Sequence, residues 1–159
     1  GLIKGGQHED AWKQALKCLR ATDLVTPSQL SFVKELEGER IEGYVEALFG
    51  LLHGDGPLEP RFEAHVLAVS RTNCSWQLAT APLALTFPDE QVCVRPSNFR
   101  TQARLLAPHL QVASVPNSRN YSGWLAMAKK AQQRLVDSDL TPRDLMDVYD
   151  FIRLTARTS

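Results

Sequence analysis

At 159 residues, with 43 % hydrophobic and 23 % charged side chains, the chain is long enough to bury a sizeable core and too apolar for wholesale disorder. Its 18 basic and 18 acidic groups cancel, which excludes a net excess of either sign. No apolar run approaches the length that crosses a bilayer, and the opening GLIKGGQHED lacks the apolar stretch of a signal peptide.

The first six residues read as a tail left by cloning, a disordered end or a cut from a longer protein, and a single helical domain is expected over 7–159. In the first helix Trp12, Ala15, Leu16 and Leu19 recur at helical spacing, with Lys13, Lys17 and Arg20 turned away. Thr26-Pro27-Ser28-Gln29 then has the order of a capping box with proline at the first helical position. A third helix runs over about 39–53 on Ile41, Tyr44, Val45, Leu48 and Leu52, and stops at Gly54-Asp55-Gly56-Pro57. A fourth starts near Glu59-Pro60 and carries Phe62, Val66 and Val69.

The stretch over 76–87 is apolar, but Pro82 is expected to break or kink a helix there, leaving at most a short helical turn before it. Two short runs, 83–87 and 92–95, flank the turn-like Pro88-Asp89-Glu90-Gln91 and allow a β-hairpin over 83–95. Pro96-Ser97 opens another helix with Phe99, Ala103 and Leu106 inward, and a loop is expected over 108–120. Tyr121, Trp124, Ala128, Ala131 and Leu135 share one face of a helix over 121–136. The last helix is expected to start at Thr141-Pro142-Arg143-Asp144 and to bury Leu145, Val148, Tyr149 and Ile152. The fold class is therefore mainly α, about seven helices in one domain with at most one short hairpin.

Charge is sorted along this chain. Residues 1–94 hold 8 basic and 13 acidic groups, a balance of −5, and residues 95–159 hold 10 and 5, a balance of +5. The 46 residues of 91–136 contain no Asp or Glu, yet carry Arg95, Arg100, Arg104, Arg119, Lys129, Lys130 and Arg134. These seven are the candidate anion- or nucleic-acid-binding residues. On the two helices of this stretch the cations lie on flanks away from the apolar face, the pattern of a surface that meets phosphates without reading bases. The bland alternative is a solvated face, or one neutralised inside the fold by Glu35, Glu37, Glu39, Glu42 and Glu46, or by Asp147 and Asp150 of the last helix.

Catalytic signals are thin. Cys18, Cys74 and Cys93 are odd in number and widely spaced, which points to reduced thiols rather than a disulfide framework or zinc site. Cys93, near Arg95, could be an activated nucleophile with His109 as the nearest histidine in sequence; a small thiol between Val92 and Val94 is the simpler reading. The four histidines show no metal-ligand spacing. Asp144, Asp147 and Asp150 could gather a metal but fit a helix start and local ion pairs as well. Asp89-Glu90 lacks the downstream acid and lysine of a nuclease site, and no glycine-rich phosphate loop is present. No cofactor or metal is implied, and whether the chain is an enzyme is left open, with the balance against.

The segments LFGLLHGDGPLEPRFE, WQLATAPLALTFPDEQVCVRP and TPRDLMDVYDFIRLT, spread over 48–155, resemble a family of bacterial helical proteins to which no activity is attached. The resemblance implies a recurring bacterial, cytosolic module and transfers no catalytic residue. Together these readings predict a non-enzymatic helical domain whose basic face binds an anionic partner, nucleic acid first among the candidates. The alternative is an accessory domain docking an acidic protein surface, within a larger protein or complex; a cysteine-dependent enzyme is the remote one.

Overall fold

The computed structural model describes residues 5–70, 72–111 and 113–156. It contains helices α1 (Gly5–Arg20), α2 (Pro27–Lys34), α3 (Glu39–His53), α4 (Leu58–Val69), α5 (Trp76–Thr86), α6 (Pro96–Leu106), α7 (Ser118–Asp137) and α8 (Leu145–Thr155). Of the expected N-terminal tail, residues 1–4 lie outside the described residues, whereas Gly5 and Gly6 belong to α1. The fold is mainly α, with one helix more than expected and no strand among the described residues. Each helix contributes to a single apolar cluster. α3 packs most extensively on α4, α1 lies on α3, and α4 joins this group to α7, around which α6 and α8 assemble.

Local sequence accounts for most helix ends. At α2 both capping-box bonds form: the Gln29 amide donates to Thr26 Oγ1 at 3.3 Å, and the Thr26 amide to Gln29 Oε1 at 3.0 Å. α3 ends through a side chain from the next helix. The Arg61 guanidinium donates to the carbonyls of Gly50 (3.2 Å), Leu51 (2.8 Å) and Gly56 (3.1 Å), and its Nε to that of Pro57 (3.2 Å). It thus supplies partners for carbonyls that a helix C-terminus leaves open. Gly54 makes the room, since a Cβ there would collide with the Gly50 carbonyl and with Arg61 Cδ. The G-D-G-P-L-E-P-R run is thereby explained as a structural buckle.

Pro82 does not break α5, contrary to expectation; the helix continues to Thr86. Proline cannot bond the carbonyl four residues back, which is that of Leu78. That carbonyl faces the buried ring of His65, and burial of every residue from Leu78 to Ala84 holds the helix together. The anticipated hairpin is absent as well. Its first limb is the end of α5, and its second is an extended segment bonded to side chains: the Val92 amide donates to the Tyr121 hydroxyl (3.3 Å) and the Val94 amide to Thr80 Oγ1 (2.9 Å). With these amides satisfied, a strand partner is unnecessary.

Two helix starts also move. α7 begins at Ser118, capped by Asn117, whose side chain accepts from the Asn120 amide at 2.9 Å. α8 begins at Leu145 rather than after Thr141, because Asp144 is itself the cap, accepting from the amides of Met146 (2.9 Å) and Asp147 (3.1 Å).

Candidate anion-binding surface on α6 and α7

α6 and α7 adjoin and run in the same sense. Phe99 meets Trp124 edge to face, with ring centroids 5.8 Å apart, and further along the Lys130 ammonium donates to the Leu106 carbonyl at 2.9 Å. The apolar faces of both helices are turned inward, with Phe99, Tyr121 and Trp124 buried. Their outer residues Arg100, Arg104, Arg119, Lys129, Lys130 and Arg134 are exposed.

These cations have different surroundings. Arg100 and Arg104, one turn apart, border a cleft of about 360 Å3 with Ala107, Pro108 and Leu110. Leu110 rests against the open backbone of Gly123 and so ties the cleft to α7. Lys130 is partly engaged, capping the C-terminus of α6, where a cation is favoured by the helix dipole. Arg134 borders a groove of about 190 Å3 between α6, α7 and α8, together with Leu105 and Phe151. Arg119 follows Ser118, whose amide and hydroxyl both donate to Glu63 Oε1 at 2.8 Å. Arg95 stands apart. It is the N-cap of α6, is half-buried, and faces Tyr149; burial raises that hydroxyl, whereas Arg95 pulls it down.

The ion pairs among the described residues are Lys13–Glu9, Arg143–Asp147 and Arg153–Asp150, and the His8 imidazole shares a hydrogen bond with Glu46. None uses a cation of 95–134. Asp147 and Asp150, weighed above as neutralising partners of the basic helices, instead serve arginines of their own segment at 3.0 and 3.2 Å. Arg143 consequently holds the Asp147 carboxyl below the usual range. Glu35, Glu37, Glu39 and Glu42 are exposed and form no ion pair among the described residues. Asp144 is occupied by its cap, so this aspartate series has no shared metal-facing arrangement, and no cluster of three metal-ligating side chains occurs among the described residues.

Cys93 is 1 % exposed. Burial pushes its thiol up to about 12, outweighing the Thr80 hydroxyl and Arg95, which act in the opposite direction. The activation weighed for Arg95 is therefore overruled by desolvation, in keeping with the simpler reading of a small buried thiol, and the thiol is protonated at neutral pH. His109, the base considered for it, is exposed on the surface.

Sequence reasoning missed a buried polar group. His65 on α4 is fully buried, and neither ring nitrogen closes a hydrogen bond of good geometry. Its ring lies 5.8 Å from that of Tyr44, and burial lowers its pKa to about 4 against an opposing effect of the Leu78 carbonyl. Its position one residue before Val66, on the apolar face of α4, was the available signal.

No family model, curated protein or solved structure matches the chain. Among the described residues no helix is long and apolar enough to cross a membrane.

Proposed function

We propose that the chain is a non-enzymatic helical module whose α6–α7 surface binds an anionic partner, nucleic acid first. The observation that carries this reading is that exposed cations of an acid-free stretch sit on two adjoining helices without carboxylate partners among the described residues. Such a surface gains by releasing counterions from a phosphate backbone and contacts it without sequence preference. The nearby aromatic side chains of the two helices are buried, so backbone charge rather than base stacking is the source of affinity. A bacterial, cytosolic setting, implied by the resemblance, belongs to the same proposal.

Fluorescence anisotropy with labelled duplex and single-stranded oligonucleotides over a salt series tests it. Binding that weakens steeply with salt and is weaker in Arg100→Glu/Arg104→Glu supports the reading; absence of binding at low salt sinks it.

One observation favours a second reading, docking of an acidic protein. Leu105 is 75 % exposed beside the groove that Arg134 borders, and an apolar anchor next to a cation suits a protein partner better than a phosphate backbone. A complex that persists on size exclusion after nuclease treatment and in high salt would select this alternative. The cysteine-enzyme reading draws no support from a thiol as deeply buried as Cys93.

A further inference from the structure

A cavity of about 680 Å3 opens between the last turn of α1, the loop after it and α2. That volume lies in the range of small-molecule sites. Its apolar surface comes from Val25, Pro27 and Leu30, of which Val25 and Leu30 are firmly seated, at 6 % and 5 % exposure.

Polar groups surround this apolar patch asymmetrically. Arg20 and Lys34, from the last turns of α1 and α2, both line the cavity. Neither has an ion-pair partner among the described residues. Asp23 is the acidic member of the lining, and its charge is felt at Cys93 and Tyr149, where Arg95 also acts. The cavity thus carries two cations against one carboxylate.

The hydroxyls add direction. Thr22 Oγ1 accepts from the Leu24 amide at 3.2 Å, and Thr26 Oγ1 from the Gln29 amide at 3.3 Å. A threonine oxygen engaged as acceptor keeps its own proton to donate. Ser31, by contrast, spends its proton on the Ser28 carbonyl at 2.7 Å. Two hydroxyl donors and two cations beside an apolar floor form a donor-rich site.

We propose that this cavity binds a small anionic amphiphile. A carboxylate or phosphate ester head is held by Arg20, Lys34 and the hydroxyl protons of Thr22 and Thr26, and an apolar body lies on Val25, Pro27 and Leu30. This site is separate from the α6–α7 surface and does not depend on what that surface binds.

The test uses ligands that share an apolar body and differ in the head: phenylacetate, phenyl phosphate, 2-phenylethanol and 2-phenylethylammonium. Each is titrated into the full chain labelled with 15N, and amide shifts are followed. Saturable shifts over 20–34 are expected with at least one anion, at roughly tenfold higher affinity than the alcohol, with the ammonium weakest. The tighter of the two anions identifies the head group. In Arg20→Gln/Lys34→Gln, whose residues are exposed, the fold is retained and the preference for the anion disappears; the control Lys17→Gln leaves it intact. The proposal is overturned if neither anion gives saturable shifts, if the shifts fall outside this segment, if the alcohol or ammonium binds as tightly, or if Lys17→Gln abolishes the preference equally.

Discussion

His65 makes the stability of this fold sensitive to acid, and the size of the effect follows from its burial. In the folded chain the imidazole titrates near 4, against an ordinary value of 6.5, because burial disfavours its charged form. An unfolded chain takes up the proton as pH falls through about 6.5, whereas the folded chain resists until about 4. Between those values the unfolded state binds more protons, so stability rises with pH across the window. The stabilisation is fully present above pH 6.5 and is lost progressively on acidification, with a total near 3 kcal/mol from the two pKa values. Urea unfolding at pH 7, 6, 5 and 4.5 on the wild type and on His65→Phe isolates this residue, since all other titrating groups are common to both. Whatever the variant costs at pH 7 through altered packing, its stability relative to wild type should improve by up to about tenfold in the unfolding constant per pH unit toward the lower end. Parallel profiles for the two proteins would refute the reasoning and show that the ring is reached by water or protonated in place.

Arg61→Met keeps the aliphatic stem but removes the donors to four carbonyls at the α3–α4 turn; a loss of about 2–3 kcal/mol is expected in chemical denaturation. Asp139 occupies the left-handed region at φ 62°, where its amide bonds Val136 and the Leu140 amide bonds Leu135 in a Schellman ending of α7. Asp139→Gly should therefore stabilise the protein by about 0.5–1 kcal/mol, read as a higher denaturation midpoint. Iodoacetamide at neutral pH should label exposed Cys18 promptly and leave Cys93 unmodified until denaturant is added; fast native labelling of Cys93 would reopen a catalytic role.

Much of the helical architecture was legible because it is written locally. The spacing of Trp12, Ala15, Leu16 and Leu19 placed an amphipathic helix, and Thr26 with Gln29 announced a cap whose two bonds both form. The errors arose where distant side chains decide. Pro82 read as a helix breaker, but the opened carbonyl of Leu78 lies against His65 of another helix and the surrounding turns are buried. The segment after Pro88 read as a strand, but its amides find Tyr121 and Thr80, 29 and 14 residues away in sequence. A local rule cannot anticipate either partner.

The candidate surface divides the same way. The outward flanks of Arg100, Arg104 and Lys129 followed from helical periodicity; the Arg143–Asp147 pair did not, because Arg143 precedes α8 and the sequence allows Asp147 to serve the basic helices equally well. Adjacency of α6 and α7, the capping role of Lys130 and the turning of Arg95 toward Tyr149 depend on tertiary packing. None of these has a sequence signature.

The salt dependence of duplex binding tests the proposed surface most directly. With most of the exposed cations on phosphates, the logarithm of the binding constant should fall against that of salt concentration with a slope of about −3 to −5. Arg100→Glu/Arg104→Glu should make the slope shallower by about two, one for each lost phosphate contact. A slope unchanged in that variant, or no binding at about 50 mM salt, where such contacts are strong, would contradict the account.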